Sequence, residues 1–223
     1  MVLLWLALHF IGPIAQPPSP FLTGPSSAPP LTIATQYLHE HAGELGLSAL
    51  NGDLDDVVVS SETTSEHNGV KHLYLRQRHR GIDINGADVN FNIARDGRII
   101  SMGGRFVGNV AASASAPTPS RDAIAATRAA AAALRLRTTA RIRIAERKGG
   151  PAHETVLTGG GISMTPIPAR LVYHSVTPTT LRLAWQLEIQ EPGGQHWWVM
   201  TVDAASLAIL NKFDRVTRSP SSA

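Results

Sequence analysis

Two helical patterns stand out against a chain that otherwise alternates apolar and polar residues. Apolar side chains recur at helical spacing from Thr32 to Leu45, and Gly46 is a suitable C-terminal stop. A second, alanine-rich run begins at Ser120, the expected N-cap, and has high helix propensity. We expect its narrow core face to contain Ile124, Ala131 and Leu134.

The first helix is followed by strand patterns separated by turn residues. Strands are predicted at 57–59, 70–79, 82–84, 89–93 and 100–106. The predicted turns are Arg80-Gly81, Asn85-Gly86 and Arg95-Asp96-Gly97. Their order predicts an antiparallel meander with one buried face.

The second helix is also followed by strand patterns. Strands are predicted at 141–147, 155–158, 169–175, 181–190, 196–203 and 207–213. In the clearest of them, Trp185 shares a face with four aliphatic residues. In the next, alternation places Trp197 and Trp198 on opposite faces, and we expect Trp197 to face outward.

A connection rich in small residues and proline, Ala111 to Pro119, divides the two series. The fold class is therefore predicted to be α+β, with two helix-plus-antiparallel-sheet subdomains at 32–110 and 120–214. Residues 16–31 form a Pro-rich linker and residues 215–223 a flexible tail.

Residues 1–15 are apolar, too short to span a bilayer and about right for the hydrophobic region of a signal peptide. The run lacks a basic start, so a misplaced start codon and a truncated anchor are the alternatives. An exported protein, secreted or in the cell envelope, is the expectation, with no stable transmembrane span.

Charge and composition limit the classes of function that the chain can have. The net charge is +3, and the arginines are scattered through periodic segments. Arg76, Arg78 and Arg80 alternate in a strand, which is typical of a solvated face, and no nucleic-acid motif accompanies them. Cysteine is absent, which excludes disulfides and thiolate chemistry.

No catalytic or metal-binding arrangement emerges from the motifs. His39 and His41 are two residues apart and point about 200° apart on a helix, so they cannot chelate one ion together. Gly161-Ile162-Ser163 lacks the downstream glycine of a nucleophile elbow. A cluster of acids before the first strand is expected to be a solvated turn: Asp53, Asp55 and Asp56.

Several segments together resemble the fungalysin/thermolysin propeptide motif. They are Gly69 to Gln77, Arg80 to Ile84, Ala87 to Asn90 and Asp96 to Ser101. In that motif a Gln-x-x-x-Gly segment bridges two strands, which corresponds to Gln77 and Gly81, and an Asp-Gly turn, here ending at Gly97, joins the next pair.

Later segments are similar to the second half of fungalysin-type precursors, where a PepSY-like module follows. They are Ala169 to Tyr173, Leu181 to Trp185, His196 to Val199 and Val202 to Ala204. The resemblance covers about residues 32 to 214 and implies structural roles for three further residues: Trp185, Trp198 and Asp203.

The resemblance implies a propeptide that helps a secreted zinc metalloprotease to fold and keeps it inactive, in trans or originally in cis. The printed sequence has no His-Glu-x-x-His helix, so no catalytic residues, metal or cofactor are expected. A free-standing inhibitor and chaperone, a truncated precursor, and a cell-envelope ligand-binding module remain as alternatives. The expected contact residues are Arg76, Arg78 and Trp197.

Overall fold

A computed structural model describes residues 20–177 and 179–216. The predicted signal peptide, residues 16–19 of the linker and residues 217–223 of the tail lie outside this part. The helices are α1 (Pro30–Glu40), α2 (Val110–Ser113) and α3 (Ala123–Ala133). The strands are β1 (Val57–Thr64), β2 (Lys71–His79), β3 (Ile82–Ile93), β4 (Ile99–Gly104), β5 (Ile144–Gly149), β6 (Glu154–Leu157), β7 (Ile167–Thr177), β8 (Thr180–Gln190), β9 (Trp197–Asp203) and β10 (Ile209–Asp214).

Both predicted helices are confirmed, with shifted ends. Helix α1 stops at Glu40, before the predicted Leu45. Helix α3 begins after Asp122, whose carboxylate accepts the Ala125 amide at 2.8 Å. The prediction that Ser120 is the N-cap is therefore wrong, because the carboxylate two residues later takes the free amide of the first turn. No helix in the described part of the chain is long and apolar enough to cross a membrane.

The strands form one mixed, ten-stranded sheet, in agreement with the α+β class. Its main order is β1-β2-β3-β7-β8-β9-β10, with β4 on β3 and β5 and β6 branching from β7. Among the strands of the described residues, all pairings are antiparallel except β3 with β7. Helix α3 packs on β8, β9 and β10.

The predicted turn at Asn85-Gly86 is wrong. Strand β3 continues through it, and the residues between Asp83 and Asp88 form a bulge opposite β2, with Gly86 at a φ of +79°. The bulge frees the residues within it to pair with another strand, because bulged residues leave the regular ladder. Ile84 and Asn85 pair instead with β7.

The parallel contact between β3 and β7 joins the two predicted halves. Their buried apolar residues also form one connected core, from Leu38 and Phe91 in the first half to Trp185 and Met200 in the second. The strand alternation that the sequence predicts is confirmed in β8, whose five apolar positions of one face are all buried. The division into two subdomains near residues 111–119 stays a prediction.

Candidate functional site

Gln77 lies at the centre of the first half, fully buried. Its side-chain nitrogen donates to the Asp53 carbonyl at 2.9 Å and to the Val107 carbonyl at 2.8 Å. Its side-chain oxygen accepts the Val107 amide at 2.8 Å. One side chain thus ties the segment before β1 to the segment after β4, and both are loops rather than strands.

Asp53 is buried beside it, where the sequence had suggested a solvated turn. Its carboxylate accepts the amides of Ser48, Asn109 and Val110 at 2.8 to 2.9 Å. The solvated-turn prediction is therefore wrong for Asp53, because three backbone amides in the interior need an acceptor. It holds for Asp55, which is exposed.

Asp56, the third acid of the cluster, organises the turn between β2 and β3. Its carboxylate accepts the Gly81 amide at 2.7 Å and forms an ion pair with Arg78 at 2.8 Å. Arg80 and Gly81 have φ angles of +53° and +77°, the left-handed conformations of a tight hairpin turn. A β-carbon on Gly81 would also lie 2.8 Å from the Pro151 ring.

Gly97 lies in the turn between β3 and β4, with a φ of +80°. A β-carbon there would overlap the Ser26 carbonyl oxygen. The Ser26 amide donates to the Asp96 carbonyl at 2.9 Å, so the segment before α1 packs directly on this turn. The glycine is needed here for space as well as for backbone conformation.

Arg76, one of the expected contact residues, is ion-paired within the molecule. Its guanidinium lies 2.8 Å from Asp88 and 3.4 Å from Asp83. Asp83 in turn accepts Arg170 of β7 at 2.6 Å. A charged ladder therefore crosses the outer face from β2 to β7, and both Arg76 and Arg78 contribute to intramolecular pairs. Their role in partner contact stays a prediction.

Trp197, the third expected contact residue, is 39% exposed and lies on the outer face of the sheet. Its indole donates to Glu188 at 3.3 Å, and the Arg215 guanidinium lies 5.3 Å from its ring centroid. Phe213 is 57% exposed on the same face, since it pairs with Val199. We call this surface the Trp197 face; its residues are Glu188, Trp197, Val199, Phe213 and Arg215.

Trp198 points to the opposite side and is held by polar contacts. Its indole donates to Glu191 at 2.6 Å, and its ring stacks on His196 at 4.9 Å. His196 is paired with Asp214 at 2.6 Å. The hydrogen bond from His196, with the amides of Val216 and Trp197, lowers the pKa of Asp214 to about 2.

The remaining structural residues of the second half are buried and hydrogen-bonded. Trp185 donates its indole N–H to the Arg121 carbonyl at 2.8 Å. Asp203 accepts the Ala205 and Ser206 amides at 2.9 and 2.7 Å. Burial alone would raise the pKa of Asp203, but these bonds and that from Arg182 outweigh it and lower the pKa.

One charged feature was missed by sequence reasoning. Residues 120–148 carry eight of the 20 lysines and arginines but two of the 17 acids, a net charge of +6, whereas the rest of the chain carries −3. The view that the arginines are scattered is therefore wrong. Counting charge by segment would have found this cluster. None of the eight forms an ion pair within the described residues.

The described residues contain no group of three or more His, Asp or Glu side chains that could hold a metal ion. The residues singled out above instead form hydrogen bonds and ion pairs that fix turns and loops.

Residues 55–106 match the Fungalysin/Thermolysin Propeptide Motif. The chain carries this propeptide motif. The match spans β1 to β4 and includes Gln77, Gly81 and Gly97, the positions on which the resemblance in the sequence rests.

Extracellular metalloproteinases resemble the chain beyond the propeptide motif. Extracellular metalloproteinase 3 of Arthroderma gypseum is 29% identical over 193 residues, which cover 78% of this chain and 30% of the relative. Extracellular metalloproteinase mep of Aspergillus niger is 33% identical over 149 residues, or 67% and 23% of the two chains. The chain thus spans less than a third of the relatives' length, and it contains a propeptide-type module.

The C-terminal domain of YpeB from Bacillus megaterium is a similar solved structure. The similarity covers 83% of this chain and 63% of the YpeB chain. The identity is 11% and the TM-score 0.35, too low to establish a shared fold. The PepSY-like nature of residues 120–214 stays a prediction.

Proposed function

We propose that this chain is a non-catalytic propeptide-type module that inhibits a secreted, fungalysin-like zinc metalloprotease and assists its folding. The observation that carries the proposal is the propeptide motif at residues 55–106, within a longer similarity to extracellular metalloproteinases. The proposal applies equally to a protease supplied as a separate chain or within one precursor. The extracellular location of the related metalloproteinases supports secretion of this module as part of the proposal.

Binding to the folded protease explains both activities. A module that binds the native enzyme and not the unfolded chain shifts the folding equilibrium toward the native enzyme by mass action. The same contact blocks substrate when it covers the cleft. Neither activity requires a catalytic group on the module.

The Trp197 face is the best-suited contact surface. It presents two exposed aromatic rings, Trp197 and Phe213, beside the cation Arg215, and such residues dominate binding energies at protein interfaces. Strand β10 pairs only with β9 within the described residues, so its outer edge can accept a further strand. Arg76 and Arg78 contribute less, because partner contact would have to break their ion pairs.

Inhibition of a purified extracellular metalloproteinase, such as the mature Aspergillus niger relative, tests the proposal. We expect the full chain to inhibit peptide hydrolysis and to raise the yield of active enzyme on refolding. Trp197→Ala should weaken inhibition about tenfold, as expected for loss of an interfacial aromatic anchor.

Tyr74→Ala is the matched control, since Tyr74 is 43% exposed but lies on β2. It should inhibit as well as the native chain, and both variants should melt at the native temperature. Absence of both binding and inhibition by the native chain would contradict the proposed function. Equal losses for the two variants would contradict the assignment of the Trp197 face.

A further inference from the structure

The cationic segment 120–148 borders a groove between α3 and the end of the sheet. One cavity of about 610 Å³ is bordered by the start of α3, by β5 and by β6, with Arg121, Arg128, Arg147 and His153 in its wall. A second cavity of about 390 Å³ is lined by Arg128, Arg141 and Arg143. Arg128 borders both cavities, so they are adjacent and are treated together. We call the pair of cavities the basic groove.

The groove also has an apolar wall. Ile124 and Ile144 line both of its cavities, and Trp185 lines the larger one. Both isoleucines are half-buried, and the tryptophan is almost fully buried. The groove can therefore accept aliphatic side chains, and the described residues that line it include no exposed Phe, Tyr or Trp ring on which a nucleic-acid base could stack.

The spacing of the cations indicates the shape of the ligand. Arg121 lies just before α3, and Arg128 lies on it seven residues later. This separation corresponds to a rise of about 10 Å along a helix axis. Arg143 and Arg147 are four residues apart at β5, about 13 Å in extended backbone. The cations are therefore distributed along the groove rather than gathered at one backbone position. They match carboxylates that are distributed along an extended chain.

We propose that the basic groove binds an extended peptide segment of a partner protein in which acidic and aliphatic residues alternate. Strand β5, at six residues or about 20 Å, sets the length of the segment at about six residues. The cations that line the groove have no ion-pair partner within the described residues, so they need not leave one to bind it. The groove lies on the α3 side of the sheet, opposite the Trp197 face, so this site is additional to the proposed function.

Binding of a fluorescein-labelled eight-residue peptide that alternates glutamate and leucine tests the site in the full chain. We expect saturable binding, weakened about tenfold or more when salt is raised from about 0.05 M to about 0.5 M, because salt screens exposed charges. Arg128→Glu with Arg147→Glu should weaken binding about tenfold, since each change replaces attraction with repulsion.

Arg95→Glu with Arg105→Glu is the matched control. Both residues are exposed in the first half of the chain, and the control changes the net charge by the same amount. It should leave peptide affinity within about twofold, as expected for screened charges far from the site. Equal weakening by the two double variants would overturn the proposal, because net charge alone would then explain binding. Should the double reversal melt early, Arg128→Gln with Arg147→Gln replaces it, with the same direction expected.

Two further probes distinguish the occupant. A peptide that alternates glutamate and glycine should bind more weakly, because it lacks the aliphatic side chains for the apolar wall. An eight-nucleotide oligothymidine should also bind more weakly than the glutamate–leucine peptide. Equal or tighter binding of either probe would overturn the assignment. Since no protease is present, failure here leaves the proposed function standing, and failed inhibition leaves this site standing.

Discussion

The side-chain amide of Gln77 pairs with both backbone polar groups of Val107, accepting from its N–H and donating to its carbonyl, each at 2.8 Å. The amide thereby acts like the backbone of a neighbouring strand for a residue that lies just beyond β4. The same nitrogen also binds the Asp53 carbonyl. Two loops far apart in sequence are fixed by one buried side chain.

Replacing Gln77 by leucine should therefore destabilise the chain strongly. The change leaves two carbonyls and one amide buried without their partner, and each such group costs about 1–3 kcal/mol. We expect the free energy of unfolding, measured by urea denaturation, to fall by about 3 kcal/mol. Gln195→Leu, at an exposed loop position, should change it by less than about 0.5 kcal/mol. Similar values for the two variants would contradict the bridging role.

Asp53→Asn should cost about 2 kcal/mol, in the range for hydrogen bonds to a charged group. The carboxylate accepts three amides through its two oxygens, and an asparagine must present a donor to at least one of them. Asp55→Asn, at an exposed position two residues along, is the matched control and should be close to neutral. Denaturant unfolding measures the free energy of unfolding of both variants. A larger loss for Asp55→Asn than for Asp53→Asn would contradict the role of Asp53 as a buried acceptor.

Gly81→Ala should lower stability by more than Gly149→Ala does. Both glycines have φ angles near +80°, which cost an alanine about 1–2 kcal/mol. A β-carbon meets the Pro151 ring at Gly81 but meets no atom within 4 Å at Gly149. Thermal denaturation gives the melting temperatures of the two variants, and that of Gly81→Ala should be the lower. Protease binding by the Gly81 variant should fall only as the folded fraction falls, so lost binding with unchanged melting would contradict a purely structural role.

Stability should also depend on Asp214 at low pH. Its pKa is lowered to about 2 in the folded chain from an ordinary 3.8, so its contribution is present above about pH 4 and is lost as pH falls toward 2. The difference in melting temperature between the native chain and Asp214→Asn should shrink across this window. A difference that stayed constant from about pH 5 to pH 2 would exclude the Asp214 carboxylate as its cause.

Periodicity predicted most of the fold, because burial imposes alternation directly on a strand. The apolar face of β8 and the alternation in β2 were both visible in the sequence. The prediction of a turn at Asn85-Gly86 was wrong because the same dipeptide also suits a bulge. The choice between turn and bulge depends on pairing with β7, which no local sequence pattern encodes. The prediction of a solvated Asp53 failed for a similar reason, since two of the three amides that it binds come from residues 56 and 57 positions away.

The candidate site was less predictable than the fold. The resemblance marked Gln77 and Gly81 by spacing, and the structure supplies their contacts. Exposure of Trp197 follows from alternation, but its neighbour Phe213 required the register of β9 with β10. The ion pairs of Arg76 and Arg78 depend on acids that lie seven to 22 residues away, so the sequence alone showed only a row of arginines.

Strand β3 takes part in three ladders: it pairs with β2 on both sides of its bulge, with β7 at residues 84 and 85, and with β4 at residues 89–93. The halves of the chain are thus joined through a backbone pairing that does not depend on the covalent connection at 111–119. A protease that cut the chain once within the connection at 111–119 would leave two fragments that stay associated. Release of either fragment would require the β3–β7 pairing and the common core to open, so proteolytic nicking and physical separation are distinct events in this molecule.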